Sequence, residues 1–131
     1  MTDNALYQQQ QVMEAYGQTT DKQNIDQCYL YSRLIHEEFY ELRDELNIEF
    51  FSGNTLKELA DMIIVCSGLI SSIGADPNDV VNVVNDNNRL KASEGTSKNQ
   101  HGKVMKSKRS ILSTAEMMVD LSKLARSTES K

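Results

Sequence analysis

Apolar positions in this chain recur every three or four residues, a spacing that predicts helices rather than strands. Ile25, Cys28, Ser32, Ile35, Phe39, Leu42 and Leu46 form one such series, and Leu56, Leu59, Ile63, Cys66, Ile70 and Ile73 form a second. Each reads as a seam for helix-on-helix packing. Two long helices are therefore expected over about 24–47 and 54–73, folded into a hairpin at 47–53. Gly74 suits a C-terminal cap, and Asp76-Pro77 then starts another helix with a capping carboxylate and proline at the first helical position. That helix is expected to end near Leu90 or Lys91. A short helix over about 3–16 precedes the hairpin. A last helix is expected from Ser110 or Ser113 to Arg126, with Ser113-Thr114-Ala115-Glu116 as a capping box. Residues 93–110 lose the period and read as a loop, and 127–131 read as a frayed tail. The predicted architecture is all-α: a single domain over 1–131, built as an antiparallel helical bundle of four to five helices.

Two acidic motifs interrupt the apolar series: Glu37-Glu38-Phe39-Tyr40-Glu41 and Glu58-Leu59-Ala60-Asp61. Carboxylates three apart share a helix face. The midpoint of the four positions Glu38, Glu41, Glu58 and Asp61 falls in the turn, so the hairpin sets both pairs at the same height. With Phe39 and Leu59 as zero and about 100° per residue, Glu38 and Glu58 lie at about −100°, Glu41 and Asp61 at about −160°. Like charges held that close repel unless a cation joins them. A hard divalent ion such as Mg²⁺, which prefers oxygen ligands, fits the set. The bland alternative is a solvated acidic face. Such faces usually intersperse bases with acids, and few bases share this arc (Lys57 is adjacent). The apolar run Met62-Ile63-Ile64-Val65-Cys66 directly follows, as expected of a helix buried all round.

Composition adds bounds. The chain has 131 residues, 39% hydrophobic and 25% charged, enough for one core. No apolar run would span a bilayer and the polar N-terminus is not a signal peptide, so no membrane partner and a cytoplasmic setting are expected. Cys28 and Cys66 fall on the seams and read as small buried hydrophobes. Net charge is −5, yet the stretch 89–109 carries seven basic residues against the single acid Glu94. An acidic pocket and a basic arm would together suit a metal and a phosphate ligand.

The acidic motifs resemble the EExxE…ExxD signature of the all-α nucleoside triphosphate pyrophosphatases, the MazG-like superfamily. Asn85-Asp86-Asn87-Asn88-Arg89-Leu90-Lys91 resembles the SNxSK-type motif of small phage and bacterial members, with Asn88 and Lys91 at the Asn and Lys positions. His101-Gly102-Lys103-Val104-Met105-Lys106 is similar to the DGKVxKG segment that follows it there. The similarity covers about 25–110. It departs where Asn87 and Leu90 replace the expected serines, and where Ser107-Lys108-Arg109 replaces a Gly-Pro-Asn-Tyr run.

The resemblance implies metal-dependent cleavage of a (deoxy)nucleoside triphosphate to the monophosphate and pyrophosphate. Glu38, Glu41, Glu58 and Asp61 would be metal ligands for two or more Mg²⁺ or Mn²⁺ ions, with Glu37 and Glu38 catalytic. Asn88, Lys91, Lys103, Lys106 and Arg109 would hold substrate phosphates. Similarity to enzymes of phages with 2-aminoadenine DNA leans the substrate toward dGTP or GTP in a phage-type nucleotide-pool role, within a host cytoplasm. The alternative is a dUTP-, dCTP- or phosphoribosyl-ATP-type pyrophosphohydrolase. The family and the all-round apolar second helix both imply a homo-oligomer: a dimer, or a tetramer built as a dimer of dimers. A competing class is a non-enzymatic helical adaptor whose basic arm binds nucleic acid. Scarce aromatics in that arm count against base stacking.

Overall fold

The computed structural model describes residues 4–93 and 108–126, with side chains in the final helix described from Ser113 to Ala125. Those residues form five helices and no strand: α1 Ala5–Ala15, α2 Ile25–Ile48, α3 Gly53–Ile73, α4 Pro77–Ser93 and α5 Lys108–Arg126. Among the described residues, no single helix is long and apolar enough to cross a membrane. The chain divides into two compact units. One holds α1, α2 and α3; the other holds α4 from Asn78 onward together with α5.

Side-chain caps start each helix of the first unit. Asn4, Asn24 and Ser52 accept hydrogen bonds from the backbone N–H of Tyr7, Gln27 and Thr55, each satisfying a donor that the helix itself leaves free. Gly74 ends α3 at φ 97°, a left-handed conformation that glycine adopts without a Cβ penalty. Gln27, buried at the start of α2, fastens the preceding linker. Its Nε2 donates to the Thr19 carbonyl at 2.7 Å and to Ser72 Oγ at 2.9 Å, while its Oε1 accepts from the Thr19 N–H at 3.0 Å. A buried amide with its partners in place fixes where α1 and α2 meet the end of α3.

The core of this unit is narrow. Met13, Tyr31 and Val65 are its buried centre, flanked by the half-buried Leu34, Ile35, Met62 and Leu69. The Tyr31 ring packs against Gly68, so close that a Cβ on that glycine would collide with it. The phenol donates to Gln18 Oε1 at 2.6 Å, which keeps a buried hydroxyl satisfied.

The seams that the apolar spacing predicts hold only in part: Cys28, Ser32, Ile35, Leu42, Leu46 and Ile70 are half-buried, but other members face water. Phe39 is 52% exposed and Leu59 40%; Ile25, Leu56 and Ile63 are exposed as well. Between the helices, Tyr31, Leu34 and Ile35 of α2 share the core with Met62, Val65 and Leu69 of α3, and Glu38 meets Glu58 and Asp61. Tyr31 of α2 meets Gly68 of α3, where the lack of a side chain lets the helices approach closely, and Glu38, Glu58 and Asp61 converge. Cys66 is exposed and Cys28 half-buried, so neither is the buried hydrophobe that its seam position suggested.

α4 begins at Pro77, the last residue of the first unit before Asn78, and carries Asp79 in its first turn and Lys91 in its last, both favourable to the helix dipole. Asn87 on α4 is buried and accepts a hydrogen bond from Ser113 Oγ of α5. Its amide nitrogen also donates to Thr114 Oγ1 at 3.4 Å. Ser113 is therefore not the cap of the last helix. That helix starts five residues earlier, at Lys108, and the serine hydroxyl is consumed by a cross-helix partner instead.

Replacing Gly68 by alanine should destabilise the chain by about 1–3 kcal/mol, because Tyr31 has no room to retreat inside a packed core. A thermal melt followed by circular dichroism would show a lower midpoint; an unchanged midpoint would show that the Tyr31–Gly68 contact does not hold the hairpin.

Candidate metal centre

Local structure delivers the acidic side chains in two steps. Ser52 caps α3, and the Thr55 hydroxyl donates to the Glu49 carbonyl at 2.6 Å, clamping the turn onto the first helical turn. Thr55 is buried, which fixes the phase of α3 at its start. Glu58 follows three residues later and Asp61 three after that, so both approach the facing helix. On α2, Glu38 lies two turns beyond Tyr31, on the same inward stripe.

Three carboxylates converge as a result. Glu38, Glu58 and Asp61 each offer an oxygen, and these atoms all lie within 4.8 Å of one another. The Glu58 side chain is only 12% exposed and that of Asp61 28%. One oxygen of Glu38 and one of Glu58, both Oε2, are buried without a hydrogen-bond donor. Burial pushes the Glu38 carboxyl up to about 7, helped by its hydrogen bond to Glu58 and by the negative charges of Glu41, Asp61 and Glu58. With both groups ionised, neither oxygen has a donor; a proton on Glu38 supplies one.

Glu41 is exposed and lies outside the three-carboxylate set. It still feels the cluster: a hydrogen bond to Glu58, then the charge of Glu58, raise its pKa, and the Lys57 ammonium opposes them. Glu37 is exposed and also outside the set. Lys57 was missed as a site residue. Its Nζ sits 2.9 Å from Asp61 Oδ2 and 3.4 Å from Glu58 Oε1, and those carboxylates hold the ammonium above its ordinary range, the hydrogen bond to Asp61 foremost. The i, i+4 spacing of Lys57 and Asp61 was the available signal.

The predicted phosphate-side residues fare differently. Asn88 and Lys91 both lie on α4, three residues apart and so on one face of that helix. Lys103 and Lys106, and the side chain of Arg109, lie outside the described residues. Within the second unit a shallow groove of about 200 Å³ runs between α4 and α5, lined in part by Asp86, Asn87, Glu116 and Asp120; neither Asn88 nor Lys91 lines it.

Hard oxygen donors alone make up the set, and two of their atoms are buried without partners. That donor chemistry fits Mg²⁺ or Mn²⁺ and does not fit the softer metals, which favour nitrogen or sulfur. No family model, curated protein or solved structure matches this chain.

Glu38 holds its proton more tightly in the folded chain than in the unfolded one. The stability this contributes is full below the ordinary carboxyl value of 4.5 and is lost as pH rises through about 7. Metal-free thermal melts should therefore fall in midpoint between pH 5 and 8, and Glu38→Gln should flatten the profile and raise the midpoint at pH 8. Equal slopes in wild type and variant would show that Glu38 does not carry the effect.

Proposed function

We propose that this chain hydrolyses a nucleoside triphosphate to the monophosphate and pyrophosphate with the help of a divalent cation. One observation carries the reading: Glu38, Glu58 and Asp61 meet between two helices with buried oxygens that lack any donor. The similarity of both acidic motifs to the MazG-like signature gives the reaction class.

Mg²⁺ or Mn²⁺ at these carboxylates would neutralise phosphate charge as it builds in the transition state. Glu38, Glu58 and Asp61 would hold the ion, and Glu41, one turn beyond Glu38, would complete the set or hold a second. Glu37, exposed at the edge, would orient the attacking water or take its proton. Lys57 would leave the carboxylates when the ion arrives and turn its ammonium toward the phosphates, since its side chain is two-thirds exposed and free to swing. Asn88 and Lys91, with Lys103, Lys106 and Arg109 of the basic arm, are the proposed phosphate contacts. The lean toward dGTP or GTP, a phage-type nucleotide-pool role and a cytoplasmic setting belong to the same proposal.

Incubation with Mg²⁺ or Mn²⁺ and each common nucleoside triphosphate, including dUTP, dCTP and phosphoribosyl-ATP, should release pyrophosphate from at least one. Glu58→Gln and Asp61→Asn should each cut that release by more than about 100-fold, beyond the usual effect of a group that only supports a metal ligand. No release from any substrate, with salt-sensitive binding to DNA instead, would favour the nucleic-acid adaptor.

A further inference from the structure

The acidic cluster already has a cation beside it, and that cation belongs to the chain. Lys57 Nζ lies 2.9 Å from Asp61 Oδ2 and 3.4 Å from Glu58 Oε1, on two of the three residues whose oxygens gather within 4.8 Å. The lysine side chain is 66% exposed, whereas Glu58 and Asp61 are mostly covered. Three features make it a poor permanent partner. Its salt bridges go to two of the carboxylates, while Glu38 and Glu58 each keep a buried oxygen with no donor. A lysine four residues before its acid is the weaker of the two helical orders. An exposed ammonium is also screened by water and costs side-chain entropy to hold.

We propose that the Lys57 ammonium is a tethered competitor of the divalent cation, and that it sets the concentration at which Glu38, Glu58 and Asp61 take up their ion. The inference rests on the metal reading of the cluster and adds what the cluster must release when it fills. An ammonium and a metal ion cannot share the same carboxylates without cost. Charges of +2 and +1 held about 5 Å apart repel enough to change an affinity roughly tenfold, even at the dielectric constant of water. The lysine therefore either leaves, giving up both ion pairs, or stays and repels the ion. Both courses weaken uptake, and both trace to one side chain. Without an ion the same ammonium does the opposite, since it offsets part of the repulsion between Glu58 and Asp61. Lys57 thus favours the metal-free fold and opposes the metal-bound one.

Those opposed signs give the test. Lys57→Gln removes the charge and keeps a similar helix propensity. Titration calorimetry of the full chain with Mn²⁺ should show binding about tenfold tighter in Lys57→Gln than in wild type. Lys57→Arg, which keeps the charge, should stay near wild type, and so should Lys22→Gln, which takes a charge from the exposed linker before α2. The metal-free thermal midpoint of Lys57→Gln should fall while its affinity rises, a combination that a merely structural lysine would not give. Affinity in Lys57→Gln that is unchanged or weaker overturns the proposal and leaves the metal site standing. No binding heat in wild type or Lys57→Gln removes the metal reading and the proposal with it. Heat undiminished by Glu58→Gln in both backgrounds arises outside the cluster and also overturns the proposal.

Discussion

The inward turn of carboxylates between α2 and α3 is the constraint on which this hairpin depends. At an effective dielectric of about 20, two charges separated by less than 5 Å repel by roughly 3–4 kcal/mol, as much as burial of one or two aliphatic side chains contributes. The neighbouring core of Met13, Tyr31 and Val65 is small. It cannot carry several such repulsions without relief. Three forms of relief are available: a proton on Glu38, the Lys57 ammonium, or a bound cation. The proton is bound only weakly near neutral pH. The ammonium reaches Glu58 and Asp61 but is mostly in water, where screening weakens an ion pair. A divalent ion held by Glu38, Glu58 and Asp61 would offset their charge directly. A cation that bound there only in the folded chain would stabilise the fold.

Much of the fold could be read from local rules, because local rules made it. Gly74, Pro77 and the turn between α2 and α3 all act where the residue type alone dictates the backbone, and helix limits came within a few residues of expectation. The start of α5 escaped because Ser113 satisfies its hydroxyl through Asn87, a partner 26 residues away that no capping rule anticipates. The facing of the helices escaped for a similar reason. Phe39 and Leu59 look like core residues by spacing, but close approach of two helices is decided by where a ring can lie on a glycine. Tyr31 on Gly68 is such a place. Neither residue stands out in a hydrophobic series.

The acidic cluster was legible in spite of that error. Its prediction rested on two properties that survive rotation of the helices: equal height from the turn, and equal phase on each helix. Both pairs therefore rotate together. Glu38, Glu58 and Asp61 converge, whereas Glu41, which has the phase of Asp61, remains exposed. Residue spacing can thus establish that groups share a level without establishing how deeply each is sunk.

A helix with two apolar faces and one acidic edge is an unusual surface to leave in water, and its parts explain one another. Had α3 been apolar on the α2 side only, Leu56, Leu59 and Ile63 would be polar, as on any surface helix. Had the strip been the face toward α2, the carboxylates would point outward into solvent, and Glu38 would keep an ordinary pKa. The observed packing excludes both arrangements: it brings three acids together where their repulsion needs relief, and it leaves Leu56, Leu59, Ile63 and Ile64 exposed.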